Sequence, residues 1–232
     1  MNLAIITARG GSKRIPHKNI KDFLGRPIIA YSIEAALGSN IFDEVIVSTD
    51  DREIAGIASK YGASVPFYRS SKNSDDYSTT SDVLIEVIQM YLVSGKNPLM
   101  TCCLYPTAPF VTSCVLKTAY EKLSSNPEIS TVIPIVKYPY SPQRGLKIDN
   151  ELLKMIDPSK CHARSQDLEP VYHDAGQFYM FKTAAFLATG NLWSGKIAPI
   201  VMPQTAVQDI DTIEDWKIAE MKYNLIKKER IK

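Results

Sequence analysis

Apolar positions along the chain alternate between two rhythms. Short runs at Leu3 to Thr7, Val45 to Ser48, Leu99 to Leu104 and Thr131 to Val136 have the length and β-branched content of buried strands. Between them lie segments of helical spacing. Pro27 to Gly38 carries proline near its start and glycine just past its end, the usual punctuation of a helix. Asp51 to Tyr61 is closed by Gly62, and Val111 to Leu123 follows the third strand. Thr80 to Val93 places Val83, Leu84, Val87, Ile88, Tyr91 and Leu92 on one stripe. After Gly176 the pattern predicts strands at Gly176 to Lys182 and Ile197 to Met202, then a helix from Thr212 to Lys228. Thr212 is the expected N-cap of that helix, with Glu214 and Asp215 in the first turn favoured by the helix dipole.

Strands alternating with helices predict an α/β fold with a mostly parallel central sheet covered by helices. The rhythm breaks between Lys137 and Tyr172, where Pro139, Pro142, Pro158 and Pro170 punctuate short segments with no helix of useful length. No Gly/Ser-rich or charge-rich stretch flanks this region. It therefore reads as an insertion at 137–172 within one domain spanning 1–232, not as a linker between two.

Composition narrows the classes. The 232 residues are 45% apolar and 22% charged, which excludes a disordered chain. No apolar run approaches the roughly 18 residues of a membrane span. The N-terminus lacks a cationic start and a small-residue cleavage site, so a cytoplasmic location is expected. The net charge of +2 is uneven, with Lys222, Lys227, Lys228, Arg230 and Lys232 against Glu229 near the C-terminus. The body then has no cationic excess of the kind nucleic acid requires, and the tail reads as a solvated helix end. Cys102, Cys103, Cys114 and Cys161 have no ligand-like spacing and read as buried free thiols, with zinc on Cys161, His162 and His173 as the alternative.

The chemistry concentrates in the loop after the first strand, Ala8-Arg9-Gly10-Gly11-Ser12-Lys13-Arg14-Ile15-Pro16-His17-Lys18-Asn19. Ligands of α/β sheets sit beyond the carboxyl ends of strands, and this loop leaves such an end. Between Arg9 and Arg26 stand six cations against Asp22 alone. Paired glycines permit close approach of a ligand, and successive N–H groups form an anion-binding concavity. The order Gly11-Ser12-Lys13 is not that of a Walker loop, and no helix follows promptly enough for a dinucleotide fingerprint. A solvated charged loop is the bland alternative. Farther on, Asp209 and Asp211 lie two apart in extended chain, so both carboxylates face one side. Two hard oxygen ligands suit Mg²⁺ or Mn²⁺, and a cap for the following helix is the competing role.

These residues resemble the CMP-sialic acid synthetase family, the cytidylyltransferases that activate nonulosonic acids. Ala8 to Lys13 with Ile15-Pro16 and Lys18-Asn19 is similar to the family's first motif. Arg69, Asp76 and Thr80 fall on its Arg-Pro…Asp-x-x-x-Ser segment, Leu104 to Pro109 on its Leu-Gln-Pro-Thr-Ser-Pro, and Asp209-Ile210-Asp211 on its Asp-Ile-Asp. Arg164 to Glu169, Tyr172 to Tyr179 and Val207 to Thr212 look most like the branch that uses pseudaminic acid. The sialic acid branch usually has Gln at Tyr105, Arg at His173 and Asn at Ala175.

The resemblance implies a Rossmann-like nucleotidyltransferase fold and transfer of CMP from CTP to a nonulosonic acid, releasing pyrophosphate. It implies that Arg9, Lys13 and Lys18 neutralise phosphates with help from the backbone of Gly10, Gly11 and Ser12. Ala8, Asn19, Arg69, Ser78 and Thr80 would read cytosine and ribose, and Asp209 and Asp211 would hold the metal. Tyr105, Thr107, Arg164, Gln166, Tyr172, His173 and Gln177 would line the sugar site, Arg164 taking the sugar's carboxylate. The insertion resembles the family's dimerisation region, which implies a homodimer with a partner segment over the sugar site. CMP-N-acetylneuraminic or CMP-legionaminic acid synthesis is the near alternative. A nucleotide-sugar glycosyltransferase and a non-enzymatic nucleotide-binding regulator are alternatives of other classes.

Overall fold

A computed structural model describes residues 1–230. Its elements in chain order are β1 (Asn2–Thr7), β2 (Asp22–Phe23), β3 (Arg26–Pro27), α1 (Ile28–Ser39), β4 (Glu44–Ser48), α2 (Arg52–Lys60), α3 (Thr80–Val93), β5 (Met100–Leu104), α4 (Ser113–Ser125), β6 (Ile129–Lys137), β7 (Leu146–Asp149), β8 (Leu152–Met155), β9 (Tyr172–Asp174), β10 (Phe178–Lys182), α5 (Thr183–Thr189), β11 (Lys196–Met202) and α6 (Ile213–Arg230). Of the basic tail, Ile231 and Lys232 lie outside the described residues.

The helices start where side chains can satisfy their first N–H groups. Asp51 accepts from Glu53 and Ile54 at the head of α2, and Thr79 forms a reciprocal box with Asp82 at the head of α3. Thr112 caps α4, which therefore begins at Ser113 and not at Val111. Thr212 accepts from the Asp215 N–H while Asp215 accepts from the Thr212 N–H, so the expected cap of the last helix is a complete box.

The strands run in the order β11-β6-β10-β5-β1-β4, with β9 beside β6. β1 is parallel to both β4 and β5, and β11 is parallel to β6. β10 enters between β5 and β6 antiparallel to both, and β9 is also antiparallel to β6. The sheet is thus mostly parallel with helices on both faces, the expected α/β architecture.

Alternation along β1 divides its side chains between the two layers. Ala4 and Ile6 pack with Ile29, Ile33 and Leu116 under α1 and α4. Leu3 and Ile5 pack with Leu84, Ile88 and Tyr91 under α3. Adjacent Cys102 and Cys103 point into opposite clusters as free thiols. Cys114 and Cys161 are exposed, not buried, because one lies on the outer face of α4 and the other in the insertion. No group of three or more metal-ligating side chains occurs among the described residues, so zinc on Cys161, His162 and His173 finds no support.

Two regions differ from expectation. The insertion, read as short segments without a useful helix, contains the hairpin β7–β8, with Ile148 opposite Leu153, which the sequence pattern does not specify. The short helix α5 follows β10 directly and has no counterpart in the sequence pattern. Among the described residues no helix is long and apolar enough to cross a membrane.

A third cluster positions the site. Ile15 from the β1 loop, Phe23 from the small β2–β3 hairpin, Ile28 at the start of α1, Phe110, and Ile210 with Trp216 from the C-terminal segment are buried together. Phe23 stands edge-on to Tyr31 at 5.4 Å and to Trp216 at 5.6 Å. This apolar clamp brings residue 15 against residue 210, and so holds the cationic loop beside the Asp209–Asp211 segment.

Candidate active site

The loop leaving β1 is shaped by hydrogen bonds within the protein. Ala8 donates its N–H to the Ser48 carbonyl at 2.9 Å, and Asn19 reaches back to the Arg9 carbonyl at 2.8 Å. The Gly10 N–H donates to Asp50 at 2.9 Å. A Cβ on Gly10 would stand 2.8 Å from an oxygen of Asp51, whose side chain is fixed as the cap of α2, so only glycine fits there. Gly11 faces open space, with nothing within 4 Å of where its Cβ would be. Arg69 is buried and donates to the Ser48 hydroxyl and carbonyl, bracing the end of β4. Its burial lowers the guanidinium pKa, while Asp50 and Glu86 pull it the other way.

The cations meet acidic groups from distant parts of the chain. Arg9 donates to the Asp75 carbonyl at 2.7 Å and to the Asp76 carboxylate at 2.9 Å, and Lys13 pairs with the same carboxylate. These two cations hold the Asp76 carboxyl below its ordinary value, Lys13 having the larger effect. Arg14 donates to Asp211 at 2.8 Å. Lys18 donates to the Ile210 carbonyl at 2.7 Å and lies 3.4 Å from Asp211. Asp211 therefore faces the cationic loop, and the capping of α6 falls to Thr212 and Asp215 instead. Burial raises the Asp209 carboxyl pKa, and the nearby negative charge of Asp211 adds to the effect.

A cavity of about 260 Å³ opens at the carboxyl ends of β1 and β5, lined by Arg9, Ser12, Lys13, Lys18, Asn19, Tyr105, Thr107 and Asp209 among others. A second cavity of about 450 Å³ lies beside it, lined by Tyr105, His173, Asp174, Ala175, Gly176, Tyr179, Val207 and Asp209. Tyr105 and Asp209 belong to both and form the seam between them.

Nine of the expected site residues line these two cavities (Arg9, Ser12, Lys13, Lys18, Asn19, Tyr105, Thr107, His173 and Asp209), whereas Ala8, Gly10, Gly11, Arg69 and Asp211 lie outside both linings. Thr80 reaches the seam, its hydroxyl 3.3 Å from that of Tyr105. Ser78 instead lines a separate cavity beside α3 and bonds to the Lys72 carbonyl and Asp75. Gln177 is buried and donates to the Ala206 carbonyl at 2.7 Å, lining neither cavity at the seam. Arg164 pairs with Asp167 at 2.7 Å on an exposed turn that also carries Gln166, outside both linings. Tyr172 is half-exposed on β9, and the ring of its neighbour His173 packs on Tyr138 at 4.7 Å. Arg14, Asp174 and Tyr179 escape sequence reasoning. Arg14 is one more cation in a crowded run, and Tyr179 reads as an ordinary core aromatic of β10.

A sheet with a cationic loop at one strand end and a carboxylate pair clamped against it is the arrangement of a nucleotidyltransferase. The chain belongs to the cytidylyltransferase family, whose family model, described as "Cytidylyltransferase", matches residues 3–198. It is 44% identical over 225 residues to the pseudaminic acid cytidylyltransferase of Campylobacter jejuni, covering 97% of each chain. It is 34% identical to the CMP-N,N'-diacetyllegionaminic acid synthase of Legionella pneumophila, covering 94% of each. Among solved structures, a CMP:2-keto-3-deoxy-manno-octonic acid synthetase complexed with CTP superposes with a TM-score of 0.69. That match covers 98% of this chain and 99% of the other at 15% identity, which speaks for the fold alone.

Proposed function

We propose that the protein transfers CMP from CTP to a nonulosonic acid, pseudaminic acid by preference, with a divalent cation. The observation that carries this reading is the seam: a cationic cavity suited to a triphosphate shares Tyr105 and Asp209 with a second cavity of sugar size. Arg9 and Lys13 exchange Asp76 for phosphate oxygens, and Lys18 stays anchored to the Ile210 carbonyl while its charge faces the same cavity. A sugar hydroxyl oxygen then bonds to the α-phosphorus, its proton passing to water, as the bridging P–O bond breaks and its electron pair leaves with pyrophosphate. The donor set fits Mg²⁺ or Mn²⁺: Asp209 and Asp211, near enough that the charge of the second raises the pKa of the first, would hold such an ion through hard carboxylate oxygens. Such an ion, when bound, neutralises charge on the phosphate and lowers the pKa of a coordinated hydroxyl.

Ala175 supports pseudaminic acid, which has a methyl end where sialic acid has a hydroxylated tail. It packs with Val136, Met202 and Val207, an apolar wall in which the amide of an asparagine would be buried. An apolar wall suits the methyl end, and it rejects an added hydroxyl only about 10²-fold. Consumption of CTP and the buried free thiols Cys102 and Cys103 are in keeping with a cytoplasmic enzyme. The test is a panel of CTP and Mg²⁺ with pseudaminic, legionaminic and N-acetylneuraminic acids, reading CMP-sugar and pyrophosphate together. Pseudaminic acid should exceed the others in kcat/KM by at least about tenfold. Equal turnover of all three overturns the sugar preference, and release of free nucleoside diphosphate from a nucleotide-sugar overturns the transferase reading.

A further inference from the structure

Asp209 and Asp211 lie between β11 and α6 on a stretch that pairs with no strand of the sheet. Its place is set by side chains that reach its carbonyls from three other parts of the chain. Gln177, just before β10, donates to the Ala206 carbonyl at 2.7 Å. Lys18, in the β1 loop, donates to the Ile210 carbonyl at 2.7 Å. Between them Lys222, on α6, donates to the Val207 carbonyl at 2.7 Å and to the Gln208 side-chain oxygen at 3.0 Å. Gln177 and Lys18 are already among the expected site residues. Lys222 is not, because the basic run near the C-terminus reads as a solvated helix end.

The structure corrects that reading for this residue. Lys227 and Lys228 are exposed, whereas Lys222 is half-buried. Burial disfavours its charged form and lowers its pKa. An ammonium drawn out of water needs acceptors, and Val207 and Gln208 supply them. The contact spreads to both carboxylate residues. An ammonium has only donors, so the Gln208 oxygen must face Lys222 and its NH₂ must face the other way. That NH₂ donates to the Asp209 carbonyl at 3.0 Å and lies 3.4 Å from one Asp215 oxygen. The other Asp215 oxygen accepts the Asp211 N–H at 3.2 Å.

We propose that Lys222 is a positioning residue that fixes the main chain presenting Asp209 and Asp211 to a divalent cation, and so sets the affinity for that cation. This rests on the metal-dependent transferase reading given above. Lys222 lines neither cavity at the seam, so it acts through the segment and not on substrate. A main chain without strand partners samples many conformations, and ordering it opposes any binding that requires one of them. Lys222 holds the segment in place beforehand, which leaves less to order when the cation binds. The carboxylates themselves do not depend on it. Loss of the lysine therefore weakens cation binding without abolishing turnover.

Two substitutions cut the link at different points. Lys222→Met removes the ammonium while keeping an unbranched stem and a good helix former. Gln208→Met leaves Lys222 on the Val207 carbonyl and removes only the bridge to Asp209 and Asp215. Lys222→Arg restores a cationic donor at the same position. Lys228→Met, on the same helix but exposed, is the control.

The test measures Mn²⁺ binding to the enzyme with CTP and no sugar, followed by water-proton relaxation, beside the Mg²⁺ dependence of CMP-sugar formation. Lys222→Met should raise the half-saturating concentration of both cations about tenfold, the effect of roughly one net hydrogen bond. Its kcat at saturating Mg²⁺ should stay within about twofold of the wild type. Gln208→Met should shift both half-saturations the same way by about threefold. Lys222→Arg should recover most of the affinity, and Lys228→Met should match the wild type. Wild-type half-saturation in a folded Lys222→Met, or in Gln208→Met where that variant does not fold, overturns the proposal while leaving the transferase reading intact. So does a loss of kcat that saturating Mg²⁺ fails to restore. A wild-type enzyme that forms CMP-sugar with no divalent cation overturns the metal reading and the proposal with it.

Discussion

Lys18 shows how a residue can be found in sequence and still be explained differently by structure. The motif places it on phosphate, whereas here its ammonium donates to the Ile210 carbonyl and so ties the β1 loop to the carboxylate segment. Removing it loses a charge-assisted contact and loosens that tie. Lys18→Ala should lower kcat/KM about 10- to 150-fold, from a loss of roughly 1.5–3 kcal/mol. Lys21, which lies over the Trp216 ring at 5.6 Å and points away from the cavity, serves as the control. Lys21→Ala should leave kcat/KM within about twofold, since an exposed cation–π contact is worth only about 0.5–1 kcal/mol of stability. Equal losses in both would mean that bulk charge, not position, governs the loop. Asp209 gives a second expectation. Its carboxyl pKa is raised on folding by burial and by Asp211, so the native state binds more protons there than the unfolded chain. Stability then falls as pH rises through the carboxylate range, and the cost is complete at neutral pH. Asp209→Asn should abolish turnover yet melt above the wild type at pH 7, with the difference gone below about pH 4. A variant melting below the wild type at pH 7 would show that Asp209 is stabilised by its surroundings. The residues legible in sequence were those whose type is rare in that setting, paired glycines, a run of cations and an Asp-x-Asp. Asp174 and Tyr179 were not legible, because their meaning lies in a hydrogen bond between separate strands.

At the scale of elements, sequence pattern succeeded where local chemistry is self-sufficient. Asp51 and Thr212 stand at the helix starts the pattern gives, while Thr79 and Thr112 cap helices one residue from the expected starts at Thr80 and Val111, and each satisfies backbone donors within its own first turn. β1, β4 and β5 are buried on both faces and read as unbroken apolar runs. The elements that escaped are short or lack a turn signature. β7 and β8 are joined through Asn150 and Glu151 at φ of 51° and 64°, and the second of these has no glycine to announce the turn. α5 spans seven residues immediately after a strand, with no side-chain cap, and nothing in its composition separates it from that strand. β9 has three residues, and its place is fixed by pairing with β6 alone.

For the whole molecule, the insertion carries an outward apolar surface. Ile148 and Leu153, cross-strand partners in the β7–β8 hairpin, are 77% and 68% exposed, with Leu146 exposed on the same face and Leu152 on the opposite one. Clustered exposed apolar side chains of this kind are the composition of an interaction surface. We infer that a second copy of the chain is the occupant, which is what the family resemblance implies. Ile148→Lys combined with Leu153→Glu should convert a dimer to a monomer in size-exclusion chromatography with light scattering. The same variant should keep the melting temperature of the core, since neither side chain contributes to the buried clusters. A wild-type chain that is monomeric at micromolar concentration would remove the dimer.

The position of β10 has a consequence for how the chain is made. Strands β1, β4 and β5 pair within the first 104 residues, but β6 and β11 join them only through β10, which begins at Phe178. A nascent chain leaves the ribosome at about 5–20 residues per second, so the β5 edge waits several seconds for its neighbour. During that interval its unpaired N–H and C=O groups form a template for strands of other molecules. A chain ending before residue 178 would keep that edge bare indefinitely and leave β6 without a place in the sheet. The last quarter of the polypeptide thus closes a sheet whose first three strands can pair without it, and a chain terminated before residue 178 should aggregate in place of forming a smaller folded protein.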